Sequence, residues 1–122
     1  LSEPMKFCAV VRQPPVGSRE SLEMLRFSFG MVLLGDVAQI HVVLEGDGVF
    51  NALSGAPLKA MERETARYYV DDCIDFDVLM YAVKEDLDAR GLKQEDLVDG
   101  VQTIDISRVA ELVGGADVVH FL

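Results

Sequence analysis

The run Met5–Val11 (MKFCAVV) is apolar at almost every position. A strand with one face in water alternates apolar and polar residues. One that does not alternate is buried on both faces, as strands are when helices roof both sides of a parallel sheet. The same character returns at residues 37–44 (VAQIHVVL) and 78–83 (VLMYAV), and in the shorter runs Val101–Ile104 and 118–122. Helical segments separate them: residues 19–34, closed by Gly35; 61–74; 84–90, ended by Gly91; and 107–113, capped by Asp105 or Ser107. Helical turns are expected at 49–53 and 93–98. Strands and helices that alternate through short loops build right-handed crossovers, so the expectation is an α/β fold on a five-stranded parallel sheet. No linker interrupts the pattern, and residues 5–122 read as one domain. Residues 1–4 are a native extension or an added remnant and carry no part of the fold.

The chain has 122 residues, half of them hydrophobic and 26% charged, enough for one packed core and too apolar for disorder. Its apolar runs are too short to span a bilayer, and no basic, apolar leader is visible. With 21 acidic against 11 basic residues the net charge is −10, which repels phosphate backbones and anionic lipid. Nucleic acid and membrane are thus not expected as partners. Two cysteines, Cys8 and Cys73, lie far apart with no C-x-x-C spacing, which argues against a disulfide framework and for a reducing cytoplasm. No metal site or cofactor is expected.

The first helical segment carries a signal about assembly. Leu22, Leu25, Phe29, Val32 and Leu33 fall on one face at helical spacing, and Met24, Phe27, Met31 and Leu34 fall on the other. A helix lying on a sheet needs one apolar stripe; a second implies a second burial. That makes Met24, Phe27, Met31 and Leu34 the candidate contacts of a homo-oligomer. Packing against residues 57–61 of the same chain is the alternative.

Chemistry-bearing motifs are sparse. Gly17-Ser18 at a helix start offers free amides for a small anion, flanked by Arg12 and Arg19, although Ser18 has an ordinary role as a helix cap. Neither a Walker loop nor a G-x-G-x-x-G fingerprint is present. Cys8 lies within a strand, and Cys73 lies in the apolar stripe of a helix beside Asp71, Asp72 and Asp75. Burial and negative neighbours both disfavour a thiolate. The acidic pairs Asp71-Asp72, Glu85-Asp86 and Glu95-Asp96 diverge on their helices and do not converge on one ion. The rule for parallel sheets puts a pocket beyond the carboxyl ends of the strands, where Gly17, Ser18, Asp47, Val83 and Lys84 gather as ligand-binding candidates.

Several segments together resemble the DsrE/DsrF-like proteins, which include the subunits of the TusBCD and DsrEFH sulfur-relay complexes. They are FCAVVRQPPVGS (7–18), LEGDGVF (44–50), the L-x-x-R-G of residues 87–91, and ADVVHF (116–121). The likeness runs over residues 5–122 and is nearest to the DsrF/TusC branch. It implies a three-layer α/β/α domain that assembles into trimers or hexamers and has other sulfur-relay proteins as partners. Active members carry a persulfide on a cysteine just after the third strand, eight residues before the glycine of L-x-x-R-G, and here that position is Val83. A valine holds no sulfur, and neither cysteine matches the position. The resemblance therefore implies a non-catalytic or scaffold subunit. The alternative is a small-molecule binding protein, or an enzyme of different chemistry, using the carboxyl-end pocket.

Overall fold

The computed structural model of the chain describes residues 3–15, 19–55 and 66–121. Five strands, β1 (Met5–Val11), β2 (Ala38–Leu44), β3 (Leu79–Val83), β4 (Val101–Ile104) and β5 (Val118–Phe121), form one sheet in the order β4-β3-β2-β1-β5. Every pairing is parallel. Among the described residues four α-helices accompany them: α1 (Glu20–Gly30), α2 (Ala66–Asp75), α3 (Lys84–Ala89) and α4 (Ile106–Gly114). The expected five-stranded parallel α/β architecture is the one observed.

The strand order explains the layers. From β1 to β4 the chain steps in one direction, so crossovers of one hand place α1 and α2 on the same face. There Leu22, Met24, Leu25, Val70 and Cys73 pack on Phe7, Ala9, Ile40, Val42, Leu44, Met80 and Ala82. The step from β4 back to β5, beside β1, runs the other way, so α4 crosses the opposite face. Its Val109, Leu112 and Val113 cover Cys8, Val10, Val43, Tyr81 and Val83. Two cores on two sides of one sheet make three layers, and they account for the non-alternating strands.

The first helical segment departs from expectation. The α-helix stops at Gly30, and Met31–Val37 continue as a 3-10 helix broken at Gly35, whose φ of 59° belongs to glycine. The two-sided stripe does not survive this change. Ser21, Leu22, Met24, Leu25 and Ser28 are all buried, an arc of about 160° at 100° per residue. Met24, expected at an interface, is 2% exposed within the chain's own core, and Met31 is half-buried against that core. Two serines widen the arc: the Ser28 hydroxyl donates to the Met24 carbonyl (2.8 Å) and that of Ser21 to the Gln13 carbonyl. Phe27 and Leu34 do remain exposed, and Leu33 more than either, at 92%. The suggested packing against residues 57–61 lies outside the described residues.

Candidate functional site at the carboxyl ends of the strands

The crossovers change face between β3 and β4, because Leu87 of α3 packs with the first core while α4 lies on the second. In an open parallel sheet a crevice forms where neighbouring crossovers part in this way. Its walls are the segments following β2, β3 and β4.

The wall after β2 is the 3-10 helix Gly46–Ala52. It begins with a close approach that only glycine permits: a Cβ on Gly48 would lie 2.0 Å from the Val11 carbonyl oxygen. The Glu45 amide donates to that same oxygen at 3.0 Å. The next contact joins two motifs that are forty residues apart. Arg90 Nε and Nη2 donate to Asp47 Oδ1 at 3.1 and 3.0 Å, and Arg90 Nη1 donates to the Asp86 carbonyl at 3.1 Å. Asp86 Oδ2 accepts from the Gly46 amide at 2.8 Å. The acid of the D-G-V-F segment and the arginine of L-x-x-R-G therefore form one clamp that holds α3 against the end of β2.

Behind this wall Asn51 is fully buried. Its Nδ2 donates to the carbonyls of Gln13 (2.9 Å) and Gly48 (2.9 Å), tying the ends of β1 and β2 together. Arg12 forms an ion pair with Glu45 (2.7 Å), and its guanidinium lies 4.8 Å from the Phe121 ring centroid. Arg19 pairs with Glu23 at 3.2 Å. Both arginines expected beside an anion are thus engaged with carboxylates.

Gly17 and Ser18 lie outside the described residues. Asp47 is exposed and held by Arg90. Lys84 is exposed at the first turn of α3 and pairs with Asp88 at 2.7 Å. Val83 requires a correction as a ligand-contacting residue. It is 2% exposed, and its side chain belongs to the second core beneath α4. Strand parity decides this: Ala82 packs with the first core, so Tyr81 and Val83 turn to the second. At the β4 side, Asp105 caps α4 by accepting from the Arg108 amide (2.8 Å), an interaction that lowers its carboxyl pKa. Glu85 Oε2 accepts from the Ile106 amide at 3.2 Å and links α3 to α4 across the change of face. Arg12, Glu45, Asn51, Asp86 and Arg90 were not singled out as pocket residues from the sequence. The sequence did mark Arg12 as a flank of the anion loop, Asp86 as one of an acidic pair, and Glu45 and Arg90 within the LEGDGVF and L-x-x-R-G phrases; Asn51 carried no signal.

Both thiols are buried. Burial pushes the Cys8 thiol up, and burial together with the Asp72 carboxylate pushes the Cys73 thiol up to about 12. Among the described residues no cluster of three metal-ligating side chains occurs. Nor is any helix there long and apolar enough to cross a membrane.

A protein-family model described as "DsrH like protein" matches residues 25–118. Among solved structures the chain is similar to the ychN protein from E. coli, with a TM-score of 0.88 at 23% identity, covering 97% of this chain and 99% of that one. It is also similar to MTH1491 from Methanobacterium thermoautotrophicum, described as a protein of unknown function. That match has a TM-score of 0.71 at 15% identity over 98% of this chain and 99% of the other. Likenesses at these identities establish the fold. No curated protein matches. The matching model is that of DsrH and lends no support to the DsrF/TusC branch that the sequence motifs favoured.

Proposed function

Since the chain belongs to the DsrH-like family of DsrEFH-like proteins, we propose that it serves sulfur relay or oxidation as a scaffold subunit that carries no sulfur of its own. The observation that carries this reading is Val83. It stands where the resemblance places the carrier cysteine, and its side chain is sealed in the second core. The two thiols the chain does possess support the same reading. Relay chemistry needs an accessible thiolate, and Cys8 and Cys73 are buried with raised pKa values. What remains at the carboxyl ends is a wall of charged side chains, Asp47, Lys84, Glu85 and Arg90, suited to recognition.

The proposed partners are further copies of the chain, in a trimer or a hexamer of two trimers, and other sulfur-relay proteins of the cytoplasm. With Met24 and Met31 packed inward, the contacts proposed for assembly are Phe27 and Leu34 together with their exposed neighbours Leu33 and Val37. The functional test is transfer. Incubation with a cysteine desulfurase and radiolabelled cysteine leaves the protein unlabelled on this reading, whereas a cysteine-bearing relay protein in the same reaction takes up label. Label retained on Cys8 or Cys73 in stoichiometric amount overturns it.

A further inference from the structure

The second face of the sheet is polar where a buried parallel sheet ought to be apolar. Its carboxyl half presents Val10, Val43 and Val83, but its amino half presents Lys6, Gln39 and His41, with the Tyr81 hydroxyl reaching His41 from the level of Val43. Parallel pairing sets Lys6 beside Gln39, Cys8 beside His41, and Val43 beside Tyr81. His41 and Tyr81 are buried and stacked, with ring centroids 5.8 Å apart and planes 10° from parallel. His41 Nε2 lies 3.0 Å from Gln39 Oε1 and Nδ1 lies 3.0 Å from Tyr81 Oη. An amide oxygen only accepts, so Nε2 carries a proton. Both ring nitrogens are thus occupied, and the tyrosine hydroxyl can serve the neutral ring as donor or the protonated ring as acceptor.

Above this floor, between the sheet and α4, lies a cavity of about 170 Å³ lined by Lys6, Gln39, His41, Arg108, Glu111, Leu112 and Gly115. Three donors remain there. Among the described residues the Lys6 ammonium has no ion pair and the Gln39 amide nitrogen no acceptor. Arg108 spends Nη1 on Glu111 (3.0 Å), which leaves the rest of its fork free. Two cations against the single carboxylate of Glu111, beside a buried histidine, are unusual in a chain of net charge −10. We propose that this cavity binds a small oxyanion, a phosphate-, sulfate- or carboxylate-bearing group of a few heavy atoms, held by Lys6, Gln39 and Arg108 over the His41–Tyr81 floor. Its small volume suits a group of a few heavy atoms, and its position toward the amino ends separates it from the carboxyl-end crevice.

Binding is coupled to His41. Burial, then Arg108, then Lys6 hold its pKa below the ordinary value. An anion seated between the two cations cancels their fields and raises it, so by linkage the anion binds more tightly as pH falls. The other titratable groups nearby are Glu111 on α4, Tyr81 on β3, Cys8 on β1 and Asp117, whose carboxylate accepts from the Lys6 amide at 2.7 Å. Glu111 and Asp117 keep the site from holding an anion by charge alone and make it depend on geometry.

The test is an NMR titration of the intact chain with inorganic phosphate and, separately, acetate, at fixed ionic strength against chloride. The expected result is a saturable shift confined to Gln39, His41 and Arg108, with a rise in the His41 pKa. Lys6→Gln and Arg108→Gln, both at exposed side chains, should each weaken binding by about tenfold, one charge-assisted hydrogen bond. The arm that saturates, phosphate or acetate, identifies the ligand chemistry. Saturation by neither anion, the same shifts with chloride, or unchanged affinity in both variants overturns the proposal.

Discussion

Val83 and Cys73 are governed by the same force, the desolvation of whatever lies between a sheet and its helices. A cysteine introduced at Val83 would lie under α4 as a neutral thiol, not at the surface as a nucleophile. In Val83→Cys, therefore, a thiol reagent such as DTNB should find no reactive group until denaturant is added; fast labelling in the native state would mean that the position is open. Cys73 allows a pH prediction with a defined sign. Its pKa is about 12 in the fold against 9.0 for a model thiol. Above the lower value the unfolded chain releases a proton that the folded chain keeps. This contribution to stability is complete below pH 9 and is lost as pH rises toward 12, by as much as about 4 kcal/mol at the top of the window. Urea midpoints across that range should fall for the native protein and fall less for Cys73→Ala. Gly48 depends on shape alone. Gly48→Ala drives a methyl into the Val11 carbonyl, and a loss of about 3 kcal/mol or more is expected in urea unfolding. A loss below about 0.5 kcal/mol, the usual range for harmless surface changes, would mean the segment shifts freely.

Elements show where sequence patterns are informative and where they fail. β1 begins and ends where its apolar run does, because burial on both faces leaves a signal that needs no partner to read; β4 also matches its expected bounds, although at the sheet edge only Val101 is buried. The first helix was legible only as far as Gly30. Residues 31–37 (MVLLGDV) are as apolar as a helix stripe, and periodicity over so short a run does not separate an α-helix from a 3-10 turn that exposes Leu33. Ser21 and Ser28 were passed over because polar residues are assigned to the outside, although a small hydroxyl returned to a carbonyl is easily buried. The carboxyl-end clamp was illegible for another reason: Asp47 and Arg90 become neighbours only through the pairing of β2 with β3. A double-mutant cycle on Asp47→Ala and Arg90→Ala should return a coupling of about 1 kcal/mol, the upper part of the range for exposed pairs, since Arg90 is also anchored to the Asp86 carbonyl. A coupling near zero would mean that the two motifs do not act as one unit.

At the scale of the whole molecule, two cores close the sheet, yet Phe27, Leu33, Leu34 and Val37 remain outside both. Light scattering should report an assembly larger than one 13.4 kDa chain, and Leu34→Glu should shift it toward the monomer with its far-UV spectrum unchanged. A monomer at every concentration would leave those residues without the proposed role. A domain whose two thiols are both buried has one further consequence, which intact mass measures most directly. The protein is isolated under alkylating, non-reducing conditions after incubation with a cysteine desulfurase and cysteine. The account predicts the unmodified polypeptide mass. An increment of one sulfur atom, mapped to Cys8 or Cys73, would contradict it and make that residue a carrier.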